Sequence, residues 1–217
     1  MVKPSEFTPN TASLIKDAVG KYFDESEFAV FLGGPEVGAE FTALPLDHLL
    51  YTGSGAVAKK VVANAATNLV PTTLELGGKS PTIISSDADL KLAAKRIMFV
   101  KTLNAGQICL SPDYIFIKKG LEEKLVSELQ EVFKTFYPES NAGDYTSMVN
   151  DHHHQRMHEY LRDAEDKGAK VINLGEFDSS ENNIVTTKVL LNVNDDMRVM
   201  KEEIFGPLLP VMVYEEL

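Results

Sequence analysis

The chain has 217 residues, enough for one large or two small domains around a hydrophobic core, and its 44% hydrophobic and 24% charged content is that of an ordinary globular protein. A net charge of -11 with no local basic stripe speaks against a nucleic-acid partner, and apolar runs broken by charges or prolines speak against a membrane one. The single cysteine, Cys109, cannot form an internal disulfide, and the opening "MVKPSEFTPN" lacks a secretory signal pattern, so a reducing cytoplasmic setting is expected.

Strand-like and helix-like segments alternate along the chain, the pattern of an α/β fold with parallel-sheet layers and flanking helices. Helical spacing of apolar residues predicts a helix over Thr11–Tyr22, with Thr8 or Asn10 as its cap. Phe28–Leu32 is a continuous apolar run closed by Gly33–Gly34, as expected of a strand buried on both faces. A short helix over Glu36–Leu44, a strand over His48–Thr52, a helix from Gly55 to Thr67 and a strand over Thr72–Leu76 follow. Beyond Gly77–Gly78 come a strand from Pro81 to Ser85, a helix from Ala88 to Asn104 and a strand over Asp113–Lys119. Leu121, Leu125, Leu129 and Phe133 recur at one-turn spacing between Glu and Lys, which predicts an amphipathic helix. A helix over 151–168, capped by Asn150 or Asp151 and stopped by Gly168, precedes strands over 169–174 and 184–193. The apolar run leading into the terminal "YEEL" reads as a last buried strand. The domain boundary is placed at Gly77–Gly78, giving domains 1–76 and 77–217, and the abrupt ends point to a fragment.

Three stretches carry candidate chemistry. "TGSGAV" lies between a strand and a helix and can be written Gly53-x-Gly55-x-x-Ala58, a loose form of the dinucleotide fingerprint. Small residues there let the backbone approach a pyrophosphate, and the helix N-terminus offers unpaired N–H groups. Read strictly, the fingerprint would give Glu75 a ribose hydroxyl; read otherwise, the loop only turns the chain. "DHHHQRMHEY" places His154 and His158 one helical turn apart, but Gln155, Arg156 and Met157 lie between them and no third ligand is evident, so no metal is assigned. Cys109 ends the turn-prone run "NAGQ" and precedes "SPD", which puts it on a loop, where catalytic residues concentrate. Free cysteine is also among the most buried residue types, and composition does not decide between the two readings.

Five motifs in order resolve the ambiguity. "KPSE" (Lys3–Glu6), "YTGS" (Tyr51–Ser54), "LELGGKSP" (Leu74–Pro81), "GQIC" (Gly106–Cys109) and "EEIFGP" (Glu202–Pro207) resemble the NAD(P)-dependent aldehyde dehydrogenase superfamily, along nearly the whole chain. The wording of "LDHLLYTGSGAVAKKVV" and "ICLSPDYI" is most similar to its class 3 and coniferyl-aldehyde branch.

The resemblance implies an aldehyde dehydrogenase fold and a role for each matched residue. Cys109 becomes the nucleophile that forms a thiohemiacetal and then a thioester. Glu75 becomes the general base that activates water, its flanking Leu74 and Leu76 being expected to bury it and raise its pKa. That role displaces the ribose-binding one. Lys3 and Glu6 would hold the adenosine ribose, leaving NADP open beside NAD. Gly53 and Ser54, with Gly55, Ala56, Val57 and Ala58 of the following helix, would face the pyrophosphate, and Leu76 would lie on the cofactor side. Glu203 would hold the nicotinamide ribose and Phe205 would pack near the ring, against a plain reading of Glu202–Glu203 as a solvated acidic pair.

Members of this family are longer. The resemblance therefore implies a chain truncated at both ends, with the first part being the C-terminal half of the NAD(P)-binding domain and the second an incomplete catalytic domain. The oxyanion-hole asparagine and the strands that build a homodimer would lie outside it, leaving the isolated chain weakly active or inactive. The expected substrate is a small-molecule aldehyde, aromatic such as coniferyl aldehyde or a medium- to long-chain aliphatic one. Two alternatives stand beside oxidation to the acid: an acylating dehydrogenase passing the thioester to coenzyme A, and a non-catalytic fragment that binds nucleotide or partners.

Overall fold

Strands β1 (Leu49–Gly53) and β2 (Thr72–Leu76) run parallel, with Thr52 opposite Glu75 and Gly53 opposite Leu76, and form the sheet of the first of two units, Met1–Gly77. The structure is a computed structural model that describes residues 1–138 and 143–216. Helix α1 (Pro9–Tyr22) starts two residues before the predicted point, with Thr8 at its cap position making no side-chain cap bond and Asn10 already inside. Pro9 at the first helical position explains this start: its fixed φ suits the first turn and its missing N–H needs no cap. Helices α2 (Pro35–Thr42) and α3 (Gly55–Ala66) complete the unit. Its small core joins Val61 and Ala65 of α3 to Leu49 of β1 and Val70.

The run Phe28–Leu32 departs from expectation. Among the described residues its only bridge is the parallel one between Val2 and Val30, with Val2 N–H donating to Ala29 O and Phe31 N–H to Val2 O, each at 2.9 Å. Val30 is buried, but Phe31 and Leu32 are each 37% exposed. A strand buried on both faces needs ladder neighbours and cover above and below, and a single bridge supplies neither.

The second unit, Gly78–Leu217, is built on a five-stranded sheet. In chain order its strands are β3 (Pro81–Ile84), β4 (Tyr114–Lys118), β5 (Lys170–Asn173), β6 (Lys188–Leu191) and β7 (Leu208–Tyr214), and across the sheet they lie β3-β4-β7-β6-β5. All pairings are parallel except β5 with β6. Helices α4 (Leu90–Thr102) and α5 (Glu122–Phe136) pack together, and their buried Ala94, Met98, Leu125 and Leu129 share a core with Ile115, Val189 and Leu209 of the sheet. The adjacent residues Leu190 and Leu208 join a separate core with Met157, Tyr160 and Leu161 of α6 (Asp151–Asp166). Side chains alternate faces along a strand, so neighbouring residues in different cores place helices on both sides of this sheet.

Helices α4 and α6 start at side-chain caps. The Asp89 side chain accepts the Leu92 N–H at 3.1 Å and caps α4, and Asn150 caps α6 by accepting the His153 N–H at 2.9 Å. Gly168, at φ +94, follows the end of α6 in the left-handed conformation that stops helices there. The predicted helix through Asn104 is shorter: α4 ends at Thr102, and a 3-10 turn over Leu103–Gly106 carries Asn104 and Ala105 at φ +52. A brief α7 (Arg198–Lys201), absent from the sequence reading, leads into "EEIFGP". The predicted strand over 184–193 narrows to β6, because the Thr186 hydroxyl and N–H are taken by Asp178 rather than by a ladder.

Candidate active site

The GQIC turn begins where α4 breaks. Asn104 and Ala105 are left-handed, and Gly106 follows at φ +73. A Cβ built on Gly106 would lie 2.5 Å from the Gly206 carbonyl oxygen, and one on Gly206 would strike the Met157 sulfur. The glycines of "GQIC" and "IFGP" therefore meet backbone to backbone, an approach any side chain would block. Gln107, 8% exposed, anchors the turn's base: its Nε2 donates to Asn104 O at 3.0 Å and Ser147 O at 3.1 Å, and its Oε1 accepts from Val149 N–H at 2.9 Å. With its neighbours fixed, Cys109 itself stands exposed as a free thiol at the tip.

Charged groups that sequence reading left unassigned hold this turn to the segment after α7. Lys79 pairs with the Asp113 carboxylate and donates to Val199 O at 2.8 Å and Glu202 O at 3.0 Å. The other Asp113 oxygen accepts the Ile204 N–H at 2.8 Å, and Asp113 is 3% exposed. Arg156 on α6 donates to Ile204 O at 3.0 Å. Lys101, 1% exposed, donates to Pro112 O at 2.8 Å; burial lowers its pKa to about 8, opposed by Asp113 and assisted by Lys79. Lys79 and Asp113 lie inside quoted motifs, "GGKSP" and "SPD", so their presence was visible; their pairing across 34 positions was not.

On that segment Glu203 is half-buried, and burial pushes its carboxyl above the usual range, a shift increased by Asp113 and opposed by a Gly78 backbone N–H, Arg156 and Lys79. Phe205 sits beside it at φ +47, a conformation that a bulky residue adopts only where its surroundings enforce it. Glu202 is no free acid: its carboxylate accepts from Tyr160 Oη at 2.9 Å and Arg198 Nε at 3.0 Å.

The remaining candidates belong to the first unit. Lys3 Nζ lies 3.3 Å from Glu6 Oε2, next to a cleft of about 230 Å³ lined by Pro4, Ser5, Glu6, Leu32, Gly33 and Gly34. Gly53 ends β1 in a conformation (φ +154) where an added Cβ would meet the Tyr51 hydroxyl. Ser54 caps α3, its Oγ accepting from Val57 N–H at 3.4 Å, so Gly55, Ala56 and Val57 form an exposed first turn. A glycine bend feeding an open helix N-terminus at the carboxyl ends of parallel strands is a fitting cradle for a pyrophosphate. Ala58, 3% exposed, faces inward; its smallness serves packing rather than contact.

Glu75 lies on β2 at that same end, beside Thr52. It is exposed, and Leu74 and Leu76 are 37% and 39% exposed, so the expected apolar burial of the carboxyl is corrected. The reason is geometric: residues flanking a strand position point to the opposite face and cannot desolvate it. His154 and His158 sit on α6 of the second unit, and among the described residues no group of three or more His, Cys, Asp or Glu is placed to hold a metal. No helix of the described residues is long and apolar enough to cross a membrane.

Comparison with known proteins places this geometry in context. The sequence profile of the aldehyde dehydrogenase family matches residues 1–217. A coniferyl aldehyde dehydrogenase from a Pseudomonas species is 46% identical over 221 aligned residues, which cover 100% of this chain and 46% of that protein. The substrate-bound state of Staphylococcus aureus AldH superposes with a TM-score of 0.91 at 37% identity, covering 99% of this chain and 46% of that one. Mycobacterium tuberculosis aldehyde dehydrogenase complexed with NAD+ gives 0.87 at 30% identity, covering 98% and 46%. The chain thus spans about half the length of the relatives it matches.

Proposed function

Because the chain belongs to the aldehyde dehydrogenase family, we propose that it carries the nucleophile and nucleotide-holding elements of an NAD(P)-dependent oxidation of an aldehyde to its carboxylic acid. The observation that carries this reading is Cys109, an exposed thiol at the tip of a turn whose base is locked by Gly106, Gln107 and the Lys79–Asp113 pair. A fixed backbone and a free sulfur are what a nucleophile needs to meet a carbonyl in one orientation.

In this reading the Cys109 thiolate attacks the aldehyde carbon, forming a C–S bond and an oxyanion. NAD(P), when bound, supplies the hydride acceptor that takes this thiohemiacetal to a thioester. Glu75 then removes a proton from water, which attacks the thioester and releases the acid and the thiol. The exposure of Glu75 supports that role by giving it water. The first unit acts as the nucleotide-binding part: Lys3 and Glu6 hold the adenosine ribose beside their cleft, and Gly53, Ser54 and the first turn of α3 face the pyrophosphate, with Leu76 beside them. Glu203 holds the nicotinamide ribose and Phe205 packs near the ring. Similarity to a coniferyl aldehyde dehydrogenase supports an aromatic aldehyde as the substrate class.

The test is direct. The chain, in the full-length parent expected from the family, is mixed with coniferyl aldehyde and NAD or NADP, the reduced cofactor is followed by its near-ultraviolet absorbance, and the acid is identified by chromatography. Loss of turnover in Cys109→Ala is the expected result; equal rates in variant and wild type would overturn the nucleophile.

A further inference from the structure

We propose that His154 and His158 form a two-histidine chelate for a divalent transition ion of the zinc, nickel or copper class, independent of the aldehyde chemistry. The pair occupies successive turns of α6, and the two Nε2 atoms lie 3.2 Å apart. With metal–nitrogen bonds of about 2.05 Å, that separation corresponds to a nitrogen–metal–nitrogen angle of roughly 100°, close to the tetrahedral value. Helical histidines at this spacing can point both nitrogens at one ion. The ring planes are inclined at 70° with centroids 4.6 Å apart, so the rings do not stack face to face.

The surroundings leave room for the rest of the shell. His154 and His158 line an open groove of about 700 Å³, shared with Asn173, Asp178, Ser180 and Glu165, all oxygen-bearing. Two cations share the groove: Lys188 is held by Asp178 at 2.7 Å and Asn173 at 3.1 Å, which offsets its repulsion of an incoming ion, and Arg162 donates its Nε to the His158 carbonyl at 3.4 Å. Imidazole suits these ions, and water completes a site with two protein ligands. In the metal-free chain the same two nitrogens share a proton as a hydrogen bond, and the ion takes that proton's place. Sequence spacing alone did not support a metal here, because a zinc helix motif needs its intervening glutamate and a third ligand; what the structure adds is the convergence of the two nitrogens.

Isothermal titration calorimetry with nickel chloride and zinc chloride tests this, in a Cys109→Ser background so that the thiol does not bind the ion. The expected result is one ion per chain, reversed by a chelator, with affinity lowered at least about tenfold in His158→Gln, the scale of loss seen when even an outer-shell partner is removed. His152→Gln, at an exposed neighbour on the same helix, should bind as the parent does. His158 is only half-buried, so His158→Gln decides the matter even if a change at buried His154 unfolds the chain; circular dichroism of the metal-free variant checks its fold. No saturable binding below millimolar ion, or unaltered binding in His158→Gln, would overturn the proposal and leave the pair as a hydrogen bond only.

Discussion

At the scale of single residues, Gly106 and Asp113 do the most to fix the cysteine turn. Gly106 has two reasons to be glycine, a φ of +73 and the Gly206 carbonyl where a Cβ would stand. Gly106→Ala should therefore cost about 1–3 kcal/mol, measured by urea unfolding, since the site offers backbone rather than a yielding side chain. Asp113 serves two partners at once, the Lys79 ammonium and the Ile204 N–H, and is 3% exposed. Asp113→Ala strands the Ile204 N–H and leaves the Lys79 ammonium with the Val199 and Glu202 carbonyls but no counter-charge, an expected loss of about 3 kcal/mol, whereas a surface pair such as Lys119–Glu215 should contribute well under about 1 kcal/mol. Cys109 is set apart by being left free: one thiol per chain should react promptly with a disulfide reagent in native buffer, and a need for denaturant would contradict its exposed placement.

At the scale of elements, the patterns that read correctly were those in which local periodicity and tertiary burial agree. In α5, Leu125, Leu129 and Phe133 repeat at helical spacing and all lie in the core. The same periodicity continued past Thr102 and hid the break after α4, because Asn104 and Ala105 turn left-handed just before Gly106, which meets the Gly206 carbonyl about a hundred positions away. For the candidate site, the motif residues were legible as a string, but Lys101, Lys79 and Asp113 became meaningful only when folding buried them together, since a charge in a sequence carries no sign of its burial. Lys101 gives this element a measurable signature. Its pKa falls to about 8 in the folded chain from an ordinary value of 10.5. Between those values the unfolded state binds more protons, so stability rises with pH through that window. Unfolding free energies at pH 8.0 and 9.5 should show a rise of about 2 kcal/mol in wild type that is missing in Lys101→Met, the amount expected from about 1.4 kcal/mol for each pH unit; equal profiles would count against a Lys101 pKa depressed by burial.

At the scale of the whole molecule, each of the two units has its own sheet and core, and each carries part of the proposed chemistry. The phosphate-turn candidates, Gly53 to Val57, follow the carboxyl end of β1 beside β2, where open parallel sheets bind ligands, while the thiol and the Glu203–Phe205 segment belong to the second unit. The proposed cycle requires the Cys109 sulfur to become acylated and Glu75 to release the acyl group. Intact-protein and peptide mass spectrometry of Glu75→Gln in the full-length parent, quenched after exposure to coniferyl aldehyde and NAD(P), reads both requirements at once. The expected spectrum shows the acyl mass added to the peptide bearing Cys109, accumulating beyond its level in wild type and absent from Cys109→Ser. An unmodified Cys109 peptide, or the same adduct in the serine variant, would contradict it.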